Sequence, residues 1–310
     1  MHTVRQLPFT PPWRWAQFHQ YFSLRLMPGV ETLTEERYAR TLSVHGRSGW
    51  LSVRPARTYL ELSVSESLCD QMTTLTALVR RVFDLDTDPA TLARHFANDP
   101  QLGPLVVATP GLRLPSAFDP FEVAVRAIVG QQVSVKAAVT ITRRLIERLG
   151  QPITPPPEAP ELRWLFPTAQ AIANASLEAI DMPGKRVAAL QHLAGAVSDG
   201  SLVLTLNQSV EELVERLCQL PGVGPWTAEY IALRGFAAPD AFPAGDLGLL
   251  RAPVWGDAGI SAKALTARAE AWRPWRAYAA MHLWHAYASA EPRRARIKEE
   301  GFVPTGAPAR

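Results

Sequence analysis

The spacing of apolar and polar positions changes once along the chain. Near the start it has a period of two. Phe22, Leu24 and Leu26 alternate with Ser23 and Arg25, and Leu60, Leu62 and Val64 alternate with Glu61 and Ser63, the pattern of half-buried strands. Leu42-Ser43-Val44 and Trp50-Leu51-Ser52-Val53 flank His45-Gly46-Arg47-Ser48-Gly49, which predicts a hairpin. Over 66–83 the period becomes helical, with Leu68, Met72, Leu75, Leu78, Val79 and Val82 on one side, and Asp88-Pro89 opens another helix carrying Leu92 and Phe96. Residues 1–115 therefore read as a mixed α/β domain, an antiparallel sheet with helices on one face.

Past Pro115 the alternation stops. Asp119-Pro120 is a cap and first-turn pair for a helix through Val125, Ile128 and Val129. Gly130-Gln131-Gln132-Val133 interrupts it, and Ser134 caps a helix that carries Ile141, Leu145 and Leu149 and ends at Gly150. Five prolines between 152 and 160 mark a loop. Helical patterns return at 169–175, 177–180, 185–196, 262–272 and 275–287. Residues 116–290 are therefore an all-helical core, which makes the fold class α+β. Residues 291–310 mix Arg and Lys with Glu, Gly and Pro and read as a loose, flexible tail.

The densest punctuation lies at 209–246. Ser209 and Glu212 have capping-box spacing, with Leu213, Leu217 and Leu220 following at helical intervals. Pro221-Gly222-Val223-Gly224 makes a tight turn, Pro225 suits a first helical position, and Gly235 is placed to close the second helix. Helix, hairpin, helix is the result, at about 209–235. Backbone N–H groups converging beside a helix N-terminus favour an anion such as a DNA phosphate. Beyond it, Asp246 precedes Leu247-Gly248-Leu249-Leu250, as a helix N-cap does; a cap that fixes a carboxylate is compatible with catalysis. Trp226 and Tyr230, four apart, share a helix face, which suits either core or pocket. Asp240 follows Pro239 and fits a solvated turn.

Composition narrows the partners. The 310 residues are 47% hydrophobic and 20% charged, as in a globular protein, and a net charge of +3 permits a nucleic-acid partner without requiring one. Cys69 and Cys218 are too few for a disulfide framework or a four-thiolate iron–sulfur cluster. His282 and His285 lie three apart on a helix without further ligands, so no zinc centre is expected. No leader and no membrane-length apolar run is present, which predicts an intracellular, cytoplasmic protein.

The stretch Leu220–Asp246, with Pro11-Pro12-Trp13, Pro110-Gly111-Leu112-Arg113-Leu114-Pro115, Gly130-Gln131-Gln132-Val133-Ser134, Met182-Pro183-Gly184-Lys185-Arg186 and Trp272-Arg273-Pro274-Trp275-Arg276-Ala277-Tyr278, resembles the helix-hairpin-helix DNA glycosylase superfamily, in its alkylated-base branch. The resemblance implies a scaffold-type N-terminal domain, two helical subdomains with the active-site cleft between them, and a nucleoid-associated monomer acting on double-stranded DNA that contains alkylated bases. No organic cofactor is implied. A monovalent cation is, held by the backbone carbonyls of Cys218, Leu220 and Val223.

A glycosylase must rotate its target out of the stack. The resemblance makes Asp246 the catalytic carboxylate, facing a sugar with oxocarbenium character. Trp226, Tyr230, Trp284, Tyr21 and Leu247 form the base pocket, whose ring faces attract positively charged alkylated bases. Gly222, Val223, Gly224, Pro225 and Thr227 meet DNA, and Gln131-Gln132 falls where the family places its wedge. Gln132 and Leu247 depart from the apolar and aromatic residues found there in relatives. Superfamily members that also cleave the strand carry lysine in the slot of Trp226, so a monofunctional enzyme is implied. The rival is a non-catalytic helix-hairpin-helix protein that binds DNA or recognises damage, which has no need of Asp246.

Overall fold

The computed structural model describes residues 2–205 and 209–300. Five strands, β1 (His2–Pro8), β2 (Glu31–Thr34), β3 (Arg37–Val44), β4 (Arg47–Pro55) and β5 (Tyr59–Ser65), form one antiparallel sheet in the order β1-β5-β4-β3-β2. The β3–β4 hairpin is tighter than the sequence suggests. His45 and Gly46 both take positive φ (48° and 78°) and Val44 pairs with Arg47, as a two-residue turn matched to strand twist requires.

Helix α1 (Trp15–Ser23) replaces the strand expected around residue 22. Phe18 and Phe22, four apart, are buried against Phe83, so the helical period wins, and Leu24 is left 58% exposed. The helix expected over 66–83 divides into a 3₁₀ stretch, Glu66–Gln71, and α2 (Met72–Val82). Leu68, Met72, Leu75, Val79 and Val82 cover the sheet's apolar face.

The remaining helices are α3 (Pro89–Phe96), α4 (Leu102–Ala108), α5 (Pro120–Val129), α6 (Val135–Leu149), α7 (Ala169–Asn174), α8 (Gly184–Ser198), α9 (Val210–Cys218), α10 (Pro225–Phe236), α11 (Leu247–Leu250), α12 (Ala262–Ala269) and α13 (Arg276–Glu300). They share one apolar core. Leu92, Phe96, Leu102 and Val106 of α3 and α4 belong to this core and not to the sheet's. The backbone of α13 stays helical to Glu300, past residue 290 and through Pro292; residues 301–310 of the expected tail lie outside the described residues. No helix among the described residues is long and apolar enough to cross a membrane.

Buried polar contacts lock sheet to helices. Arg40 of β3 donates to Glu122 of α5 (2.5 Å) and lies 3.6 Å from Glu31, itself bonded by the Tyr38 hydroxyl at 2.6 Å. Asp84 accepts from the Tyr278 hydroxyl of α13 at 3.0 Å. Arg113 is fully buried and donates to the carbonyls of Asp84, Thr87, Thr10 and Pro12.

Candidate active site

The hairpin unit is built as its residues dictate. Ser209 and Glu212 complete a reciprocal capping box at the start of α9, at 3.2 and 3.1 Å. Leu213 and Leu217 bury the helix's apolar side. Gly222 takes φ +82°, and a Cβ there would stand 2.6 Å from the Ala189 Cβ, so glycine satisfies both the turn and the close approach of α8. Gly224 is the N-cap of α10 with Pro225 in the first turn, and no side chain caps it. Uncapped N–H groups at a helix start favour an anion. The Val223 side chain is buried and its N–H is spent on the Leu220 carbonyl at 3.1 Å.

Gly235 does not end α10. The helix continues to Phe236 and ends at Ala237, which takes the left-handed φ of +55°. A Cβ on Gly235 would lie 3.2 Å from the Pro120 Cα, so this glycine serves the close packing of α10 on α5. That contact sets α10 beside the Gln131 loop at the end of α5. The Gln131 side-chain amide donates to the Gly222 carbonyl (2.9 Å) and to the buried Thr227 hydroxyl (3.2 Å). Arg186 of α8 donates to the carbonyls of Val129 and Gln131 at 3.2 and 2.9 Å. Gln131 is thus a strut inside the hairpin unit. Its neighbour Gln132, at φ +58°, is exposed.

Asp246 is the N-cap of α11. Its Oδ1 accepts from the N–H groups of Gly248 (2.9 Å) and Leu249 (3.3 Å) and from the Trp284 indole (2.7 Å), and its Oδ2 accepts from the Trp226 indole (3.1 Å). Two indoles and a helix start therefore hold one carboxylate. Trp226 stacks on Tyr230, with ring centroids 5.4 Å apart and planes 20° apart. Trp226, Tyr230, Asp246, Leu247 and Tyr21 all line one cavity of about 950 Å³, together with Gln131, Gln132, Gly224 and Thr227. Leu247 is 64% exposed at its edge. Trp284 reaches the site through Asp246.

Three arginines in this cavity have no counterpart in the sequence reading. Arg25, Arg126 and Arg234 line it. Arg234 was legible: with Trp226 and Tyr230 it continues a spacing of four along α10. Its guanidinium donates to the Pro115 carbonyl (2.7 Å) and lies 4.7 Å from the Tyr21 ring centroid and 5.0 Å from that of Trp284. Arg25 lies 4.7 Å from the same Tyr21 ring. Tyr21 thus already carries two cations. Burial pushes the Tyr230 phenol up, but Arg25, Arg234 and Arg126 together bring it below its ordinary range.

Asp240 is not in a solvated turn. It accepts from Arg276 at 2.9 and 3.1 Å and from Arg273, with its side chain 17% exposed, because Arg276 at the start of α13 and Arg273 just before it turn their guanidiniums toward it. His282 is buried, and burial with neighbouring His285 lowers its pKa to about 4. Trp15 and Trp255 are structural, their indoles donating to the Glu35 and Leu249 carbonyls at 2.7 and 2.9 Å.

Comparison with known proteins places these features in a family. Residues 4–119 match the AlkA N-terminal domain, and residues 125–276 match the HhH-GPD superfamily base excision DNA repair protein. The chain is 38% identical over 285 residues to DNA-3-methyladenine glycosylase 2 of Escherichia coli, covering 90% of this chain and 96% of that one. It is 38% identical over 280 residues to a Mycobacterium tuberculosis protein named as a probable bifunctional transcriptional activator/DNA repair enzyme AlkA, of which it spans only 56%. In fold it is similar to a 3-methyladenine DNA-glycosylase from Archaeoglobus fulgidus (TM-score 0.76, 20% identity, 92% of this chain and 98% of that one). It is also similar to an 8-oxoguanine glycosylase/lyase of Clostridium acetobutylicum (TM-score 0.71, 17% identity, 94% and 98%). With a five-stranded sheet ahead of a helical core built on the capped hairpin, the chain belongs to the HhH-GPD superfamily of base excision DNA repair proteins and carries an AlkA N-terminal domain.

Proposed function

We propose that this protein is a monofunctional DNA glycosylase that flips alkylated, 3-methyladenine-type bases out of double-stranded DNA and hydrolyses their N-glycosidic bonds. The observation that carries the reading is the Asp246 carboxylate, held by four N–H donors on the wall of a cavity that also contains stacked Trp226 and Tyr230.

Duplex DNA meets the uncapped first turn of α10 and the hairpin at Gly222–Gly224, where backbone groups and the helix dipole favour a phosphate. With Gln131 committed to Gly222 and Thr227, exposed Gln132 enters the gap left by the extruded nucleotide. The base enters the cavity against the aromatic rings, with Leu247 at the rim. As the C1′–N bond breaks, its electron pair leaves with the base, which is neutralised if it was cationic. Positive charge develops on the deoxyribose and the fixed Asp246 anion stabilises it without reorganising. Water then bonds to C1′ and releases its proton to solvent, leaving an abasic strand.

No lysine lines the cavity among the described residues, and Trp226 occupies the slot that would need one for a Schiff base. No organic cofactor enters this chemistry. A monovalent cation fits the carbonyls of Cys218, Leu220 and Val223. Those of Cys218 and Val223 accept no hydrogen bond among the described residues, and the C-terminal end of α9 favours positive charge. When bound it would add positive charge to the hairpin, which would favour a nearby phosphate. The protein works as a monomer on nucleoid DNA in the cytoplasm.

The test is incubation with methylated duplex DNA, followed by chromatography of the released base and borohydride treatment of the mixture. Free 3-methyladenine, an intact abasic strand and no trapped adduct are expected. A covalent adduct, or DNA that is bound but loses no base, contradicts the reading.

A further inference from the structure

We infer that Arg25 is a specificity-determining residue of the base pocket, whose guanidinium donates to an oxygen on the flipped base and raises the release of neutral, oxygen-bearing bases relative to that of cationic ones. This rests on the glycosylase reading above.

Arg25 follows α1 in the N-terminal domain, yet it lines the same cavity as Asp246. It is held at Tyr21. Its Cζ lies 4.7 Å from the Tyr21 ring centroid and its Nη1 donates to the Tyr21 carbonyl at 3.5 Å. Its own carbonyl accepts from Arg126 at 2.6 Å, which pins the backbone as well. A guanidinium carries five N–H groups in a rigid fork. These contacts leave donors over, and no Arg25 nitrogen is among the buried atoms that lack a partner. The spare donors are therefore not sealed off, and Arg25 is part of the cavity wall.

Charge points the same way. Arg25, Arg126 and Arg234 line the cavity, and Asp246 is its single carboxylate among the described residues. Burial by itself would lower the Arg25 pKa, but Tyr230, Tyr21 and Asp246 hold it above the ordinary value, so the cation is secure. A base with a formal positive charge enters against this excess, which opposes the attraction of the ring faces. A neutral base presenting an oxygen finds a preoriented, charge-assisted donor. Tyr21, already faced by Arg25 and Arg234, supports the guanidiniums and offers no free ring to a cationic base.

The experiment measures single-turnover release of hypoxanthine (neutral, with an oxygen) and of 3-methyladenine (cationic in DNA) from otherwise identical duplexes. Wild type, Arg25→Met and Arg25→Lys are compared, with melting and abasic-DNA affinity reporting the fold. In Arg25→Met the hypoxanthine to 3-methyladenine rate ratio should fall about tenfold, the factor of one charge-assisted hydrogen bond. A ratio unchanged in a folded Arg25→Met overturns the assignment, whether both rates fall together or neither does. Should Arg25→Met not fold, Arg25→Lys decides. It keeps the charge and loses the fork, so a fall of about threefold is expected and an unchanged ratio overturns the proposal. Wild type that releases neither base would instead overturn the glycosylase reading itself.

Discussion

At the scale of single residues, the site is a carboxylate with almost no freedom. Asp246 caps α11 through two backbone N–H groups, and two indoles complete its contacts. Each tryptophan therefore has a polar role beside any stacking role. Trp284→Phe separates the two, because it keeps an apolar ring and removes the 2.7 Å N–H donor. A hydrogen bond to a charged group is worth about 1.5–3 kcal/mol, so base release should slow by about 10- to 100-fold. Affinity for abasic DNA should change less than about threefold. Equal losses of rate and affinity would mean that the indole serves only packing.

At the scale of elements, the hairpin depends on two glycines with different duties. Gly222 needs its positive φ and the space against Ala189, whereas a Cβ at Gly224 meets nothing within 4 Å. Gly222→Ala should cost about 2–3 kcal/mol and Gly224→Ala less than about 1 kcal/mol, measured by urea unfolding. Equal costs would contradict this division. The elements also show what sequence conveys. Caps at Asp88, Asp119, Ser134 and Ser209 were readable, because a cap is a contact within one turn of the chain. The end of α10 was not. Ala237 takes the left-handed conformation that glycine usually supplies, and Gly235 is needed by Pro120 on another helix. The same limit explains α1, where Phe18 and Phe22 are buried against Phe83, a partner distant in sequence.

At the scale of the whole molecule, the cavity joins side chains from both domains. Asp246, Trp226 and Tyr230 come from one continuous stretch and could be found together. Arg25 and Arg126 could not, since only the packing of the sheet domain on α5 brings them there. That junction rests on buried charge, with Arg40 of β3 paired to Glu122 of α5. Deeper in α13, His282 is buried, and burial lowers its pKa from the ordinary 6.5 to about 4. The unfolded chain then binds a proton that the fold refuses. Stability is fully present above pH 6.5 and is lost as pH falls to about 4, by roughly 3 kcal/mol. Urea unfolding at pH 7, 5 and 4 should show that loss, and His282→Gln should flatten it. An unchanged slope in the variant would assign the acid sensitivity to other groups. The central claim, that a fixed anion at position 246 breaks the glycosidic bond, is tested most directly by single-turnover base release with Asp246→Asn. The amide keeps the size and removes the charge. Release should fall by about 10²–10³-fold while the variant binds lesion-containing duplex as wild type does; release at the wild-type rate would contradict the account.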